Sequence, residues 1–386
     1  MKCQKELFSL KGNIHYLNCA YKSPLLKSAE EACMKALARE RNPAEISVDD
    51  FFQDVKIVKE YFAELINAQS HNVIIIPSVS YGFSTVLNNI KGKQNGNVIT
   101  IKDEFPSGYF SLKRWSSENN NKLIVIEPDK NETAIGENWN NKLMKQINDE
   151  TSVVLISAVH WMNGLKFDLE KIGQKCSEVG AKFIVDGTQS VGALSMDVIK
   201  YKIHALVCAS YKWMFGTYSI ALAYLNDDFE FGRPLEEAWV NRVNSMNFES
   251  LTEYEENYIP HAGRYNVGET SNFISMPILR ESLSQILKWK PVHIDEYCKN
   301  LRLPLFKYLT ELGVVLENEK YLANHLFALQ LPKTIDLDLL KQNLKANNVF
   351  ISIRGNYLRI SINVFNDEKD IQKLIDVIKM TVDKKN

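Results

Sequence analysis

Asp186 and Lys212 are the residues whose types and setting point most directly to chemistry. Asp186 closes the apolar run KFIVD (182–186), and Lys212 follows HALVCAS (204–210) by two residues. An amine that can form an imine and an acid that can keep a ring nitrogen protonated are what pyridoxal 5'-phosphate (PLP) chemistry asks of a protein. Lodged between an apolar strand and the bulky Tyr211 and Trp213, Lys212 should lose hydration, which lowers its pKa and frees the amine. Taken singly, a lysine is usually a solvated surface group, and an acid at a strand end often only caps the next turn. Gln189, three residues after Asp186, adds a group able to donate to the phenolic oxygen of such a cofactor. The stretch IIIPSVSYGFSTVLNNI (74–90) reads as strand, turn and helix start, and a helix N-terminus with a hydroxyl suits a phosphate. The plainer reading of Ser80 there is an ordinary helix cap.

These groups need a scaffold to hold them. With 386 residues the chain is long enough for two to three domains with ample buried surface. Forty-six Lys and Arg against 47 Asp and Glu give a formal net charge of -1 with no long run of one sign, which argues against a nucleic-acid partner. The six cysteines are scattered, without C-x-x-C pairs or metal-ligand spacing, and read as reduced thiols; no metal is expected. The N-terminal stretch lacks an apolar signal core, and no run is long enough to span a membrane, so a soluble cytoplasmic protein is expected.

Short β-branched runs recur between amphipathic stretches: VIII (73–76), NVITI (97–101), KLIVIE (122–127), SVVLI (152–156), KFIVD (182–186), ALVC (205–208) and IALAYL (220–225). This alternation predicts an α/β fold with a mostly parallel seven-stranded sheet covered by helices on both faces. Residues 168–180 read as a crossover helix, with Leu169, Ile172 and Cys176 on one face, Asp168 as cap and Gly180 as stop. After about residue 262, ISMPILRESLSQILKW reads as a helix; FALQL, VFISIR and YLRISI follow as strands, and a terminal helix covers 367–382. The expected division is a large domain over 21–262, and a small α+β domain from 1–20 with 263–386. Ligands of open parallel sheets bind beyond the carboxyl ends of the strands, where Ser80, Phe105, His160, Asp186 and Lys212 all fall.

The segment Asp186-Gly187-Thr188-Gln189, with Ser210-Tyr211-Lys212-Trp213 one strand later, resembles the class V aminotransferase family of fold-type I PLP enzymes over nearly the whole chain. That resemblance implies a Schiff base on Lys212 and an electrostatic role for Asp186. It also implies phosphate contacts from Val79 and Ser80, an aromatic ring over the cofactor from Phe105, and His160 where cysteine desulfurases carry an asparagine near the phenolic oxygen. Tyr211 matches a kynureninase tyrosine that contacts phosphate. Arg359, in Asn356-Tyr357-Leu358-Arg359-Ile360-Ser361, resembles the family's clamp on the substrate α-carboxylate, where a planar guanidinium makes two parallel hydrogen bonds. Arg354 is a weaker candidate for a second substrate charge. Thr270, in GRYNVGETSNF (263–273), resembles a residue that the neighbouring subunit lends to the phosphate site, although Glu269 interrupts the family's Gly-Thr pair. Asn18 and Ala20 match a stretch lining the substrate mouth, and the family architecture implies a homodimer.

Cysteine desulfurases need a thiol on the loop before the carboxylate-binding arginine, and NNVFISIRGNYLR (347–359) has none. Kynureninases carry D-x-A-H where this chain has Asp186-Gly187-Thr188-Gln189. An aminotransferase acting on an amino acid, a small-molecule substrate, is the expected activity. An amino-acid epimerase or a Cβ lyase are alternatives, and a non-catalytic PLP-fold binding protein is the alternative of another class.

Overall fold

The computed structural model describes residues 1–129, 135–330, 335–354 and 357–383. Its centre is a seven-stranded sheet in the order Val73–Ile76, Ala221–Leu225, Ala205–Ala209, Lys182–Asp186, Thr151–Ser157, Asn97–Ile101, Lys122–Ile126. Ala221–Leu225 runs antiparallel to both its neighbours; every other pairing is parallel. Two successive reversals restore the direction of Val73–Ile76, so its carboxyl end lies with those of the five parallel strands.

The strands are continuous apolar runs because the sheet is covered on both sides. Ile74, Ile76, Val153, Leu155, Ile184 and Val207 face one core, shared with Phe83 and Leu112 of helices Val79–Leu87 and Pro106–Glu118. Val73, Ile75, Val154, Ile156, Phe183 and Val185 face the other. The crossover helix Leu169–Val179 forms as its sequence suggests: Asp168 accepts a hydrogen bond from Lys171 N (3.3 Å), and Gly180 ends it with φ +67°.

A second sheet, antiparallel, orders Ser352–Arg354, Tyr357–Ser361 and Leu326–Gln330, with helices Pro291–Glu311, Leu337–Ala346 and Glu368–Asp383. The run VFISIR divides here: Val349–Phe350 pairs in parallel with His15–Tyr16, and only Ser352–Arg354 joins the three-stranded sheet. Leu331 and Asn356, which the sequence reading set in strands, lie outside the described residues. The two sheets share one apolar core: Phe8 packs on Phe215 (5.4 Å between centroids) beside the first sheet and on Phe365 (5.2 Å) beside the second. Helix Ser275–Trp289 lies against helices Lys27–Arg39 and Gln53–Ile66. No described helix is long and apolar enough to cross a membrane.

Candidate active site

The carboxyl ends of the strands open into a cavity of about 230 Å³. Val79, Ser80, Phe105, Asp186, Gln189, Tyr211 and Lys212, residues far apart in the chain, all line it. Asp186 is the last residue of its strand, and the tight turn after it returns Thr188 N to Asp186 Oδ1 (2.8 Å). Thr188 Oγ1 then accepts from Ala209 N (3.1 Å), tying this turn to the neighbouring strand end that leads into Lys212. Gly192 closes the turn at φ +95°, and a Cβ there would collide with the carbonyl oxygen of Trp213. Only glycine lets the two turns approach so closely.

Burial raises the pKa of Asp186, against the opposing pull of the Thr188 hydrogen bonds and the charge of Lys212. Lys212 is buried with no ion-pair partner among the described residues, and its Nζ lies 5.7 Å from the ring centre of Phe105 and 5.6 Å from that of Tyr211. Desolvation brings its pKa down to about 8; Asp186 works against this and Arg359 adds to it. The neutral amine is therefore within reach at ordinary pH.

The helix Val79–Leu87 points its N-terminus at the cavity. Ser78, not Ser80, is its cap: Ser78 Oγ accepts from Tyr81 N (3.2 Å), and the Ser78 and Ser80 hydroxyls lie 2.9 Å apart. Gln189 uses one amide N–H on Ala20 O (3.2 Å) and accepts from Trp213 Nε1 (2.8 Å), which leaves its second N–H for a ligand. His325 Nε2 donates to the Gln189 carbonyl (2.7 Å) and fixes the turn from the side of the small sheet.

His160 does not reach this cavity. It is buried against Trp139, its Nε2 donates to Lys102 O (3.1 Å), its Nδ1 lies 3.0 Å from Asn163 Oδ1, and it lines a neighbouring cavity instead. The strand has ended at Ser157, and the chain turns here, with Val159 bridged to Lys166 and Gly164 N donating to His160 O (2.8 Å). Trp161, in that turn, lines the cavity, its ring 5.6 Å from that of Phe105 and its Nε1 donating to Asp103 O (2.7 Å). Thr270 is buried away from the cavity, on a segment that runs along the outer strand Val73–Ile76. Ser78, Glu104, Trp161 and His325 had gone unread in the sequence. Trp161 carries no sequence signal of its own, because the turn that places it is closed by the bond from Gly164 N to His160 O.

Arg359 is 2% exposed, and it donates from Nη1 to Trp161 O (3.0 Å) and from Nη2 to Ser352 Oγ (3.2 Å). Its Nε has no hydrogen-bond partner, and no carboxylate pairs with it among the described residues. Burial and Arg354 lower its pKa to about 10. A buried guanidinium without an acid is a receptor for an anion. Asn18 accepts from Ser352 Oγ (2.8 Å), and Ala20 N donates to Ser361 Oγ (2.9 Å), so both sequence-selected N-terminal residues adjoin the strand that carries Arg359.

An uncharacterized aminotransferase of Bacillus subtilis, YcbU, is 23% identical over 328 residues, 84% of this chain and 83% of its own length. A probable cysteine desulfurase of Pyrococcus abyssi is 26% identical over 216 residues, 54% of this chain and 52% of its own. The apo cysteine desulfurase of Thermococcus onnurineus NA1 shares the fold, with a TM-score of 0.84 over 100% of this chain and 99% of that one at 18% identity. So does a lysine-to-alanine variant of C-DES with glycine covalently linked to its PLP cofactor, with a TM-score of 0.84 over 97% and 98% of the two chains at 16% identity. The profile of the class-V aminotransferases matches residues 25–374, and with that reach across both sheets the chain belongs to the aminotransferase class-V family.

Proposed function

We propose that this chain is a PLP-dependent enzyme that acts on an amino acid through Lys212 and works as an aminotransferase. The observation that carries the reading is a buried lysine with no ion-pair partner among the described residues, sharing one cavity with a buried aspartate beside a helix N-terminus. PLP, when bound, supplies a conjugated ring that draws electrons from the bonds at a substrate Cα. Ser78, Val79 and Ser80 offer the first turn of a helix and two hydroxyls to its phosphate. Asp186 holds a proton on the ring nitrogen, and the second N–H of Gln189 is free for the phenolic oxygen. Phe105 and Trp161 keep water from the ring face.

With a pKa of about 8, roughly one Lys212 amine in ten is unprotonated at pH 7, against about three in ten thousand at the ordinary value. Arg359 grips the substrate carboxylate and sets Cα within reach of that amine. With PLP bound, Lys212 would be the group that takes up the Cα proton and returns it. Aminotransfer asks for no further catalytic group. Sulfur transfer would ask for an accessible thiolate, whereas Cys19, the thiol beside Lys212, is pushed up to about 12 by burial.

The test is the visible absorbance of the purified protein with PLP. A lysine-linked band that vanishes in Lys212→Ala, and that converts to the amine form of the cofactor with an amino donor as a 2-oxo acid is released, is the expected result. Cα hydrogen exchange without conversion identifies an epimerase, and loss of a Cβ group a lyase. Protein that takes up no PLP is a binding module.

A further inference from the structure

The end of the central sheet opposite Lys212 collects three ligand-type side chains that the proposed chemistry leaves unused. His71 lies in the turn Ser70–Asn72 that enters the outer strand Val73–Ile76. Asp227 begins the turn Asp227–Phe229 that leaves its antiparallel neighbour Ala221–Leu225. His261 heads the turn His261–Tyr265. One ligand atom from each, two imidazole nitrogens and a carboxylate oxygen, lie within 4.8 Å of one another.

His71 and Asp227 are exposed, and His261 is half-buried. The rings of His71 and His261 stack with centroids 4.0 Å apart and planes 27° from parallel. Asn72 Nδ2 donates to Asp227 Oδ1 (3.0 Å), orienting the carboxylate and leaving its other oxygen free. His261 Nδ1 is shielded from solvent with no hydrogen-bond partner among the described residues, and its residue holds φ +59°, a conformation uncommon outside glycine. A ring nitrogen cut off from water and left unpaired is disfavoured unless something occupies it.

We propose that His71, Asp227 and His261 bind a divalent transition ion of the zinc class, with a structural role. Two imidazoles and one carboxylate suit zinc, cobalt or nickel rather than magnesium or calcium, and three protein ligands leave one position for water. The ion would tie the base of the outer strand pair to the segment that runs back along it. Ile75 N donates to Asn266 Oδ1 (2.9 Å) and Val267 N to Ile75 O (3.0 Å), and the segment continues to Thr270. Metal at one end of the sheet thereby stiffens the route to the residue that we assign to the partner's phosphate site.

The test is titration of chelator-stripped, dialysed holoenzyme with Co²⁺, read by its visible d–d absorption, with Zn²⁺ calorimetry and melting alongside. The wild type should take up one equivalent and melt at a higher temperature with Zn²⁺. His71→Ala, His261→Ala and Asp227→Asn should each weaken binding by at least about tenfold, while His293→Ala leaves it unchanged. His71→Gln serves where an alanine variant fails to fold, as judged by circular dichroism. Absence of saturable binding, or binding equally tight in the folded His71 and His261 variants, overturns the proposal.

Discussion

Glu104 sits one residue before the ring that faces Lys212, and its carboxylate accepts hydrogen bonds from Ser157 Oγ, Ser157 N (2.6 Å) and Phe105 N (2.7 Å). It fastens the start of helix Pro106–Glu118, and with it Phe105, to the end of strand Thr151–Ser157. Burial and the charge of Asp186 raise its pKa to about 7. The folded state thus binds a proton more tightly than the unfolded chain does, so stability is highest below the unfolded value and falls as pH rises toward 7. We expect a loss of ~3 kcal/mol between pH 4.5 and 7 from this group. Chemical denaturation of Glu104→Gln across that range should lack this slope; a variant with the same slope as the wild type removes Glu104 as its source. An acid before Phe105 carried no signal in the sequence, because its meaning depends on Ser157, which only the pairing of the strands brings near. Asp186 and Lys212 were legible because apolar runs end on or just before them. His160 also follows an apolar run, but it lies beyond the strand end, where the turn 160–164 buries its ring against Trp139 and leaves Trp161 on the cavity.

At the scale of elements, the turns 186–192 and 210–216 act as one unit, joined by Thr188 to Ala209 and by the approach of Gly192 to Trp213. Gly192→Ala forces a side chain onto φ +95° against a backbone oxygen, so we expect a loss of more than about 1 kcal/mol. Lys212 should capture PLP more slowly in that variant. Denaturation midpoints together with the rate of growth of the PLP band check both; unchanged capture would show that Lys212 does not depend on this contact. The strands were the most legible part of the fold. VIII and KFIVD became Val73–Ile76 and Lys182–Asp186, because strands buried on both faces are apolar throughout and are bounded by polar turns. VFISIR was less so: it reads as one strand, yet its halves pair with different partners, His15–Tyr16 and Tyr357–Ser361, a choice made by tertiary structure. The Ser78 cap shows the limit of motif reading, since either serine in SVS satisfies the pattern and only geometry selects one.

For the whole molecule, we propose a homodimer in which Thr270 completes the partner's phosphate site. Thr270 does not line its own chain's cavity, whereas Tyr218, 69% exposed, forms part of the cavity wall and leaves that side for a neighbour to cover. Light scattering should give about twice the 44.3 kDa chain mass. Thr270→Ala should weaken PLP retention without changing that mass; a monomer with full PLP affinity would sink the idea. Arg359 also works at this scale. Its Nη1 reaches from the second sheet to the main-chain oxygen of Trp161, in the turn beyond strand Thr151–Ser157 of the first, so this guanidinium is a latch between the two halves. On the reading proposed above, a substrate carboxylate would meet this group at its unpaired Nε, and the same side chain would relay its arrival through Trp161 to the wall beside Phe105.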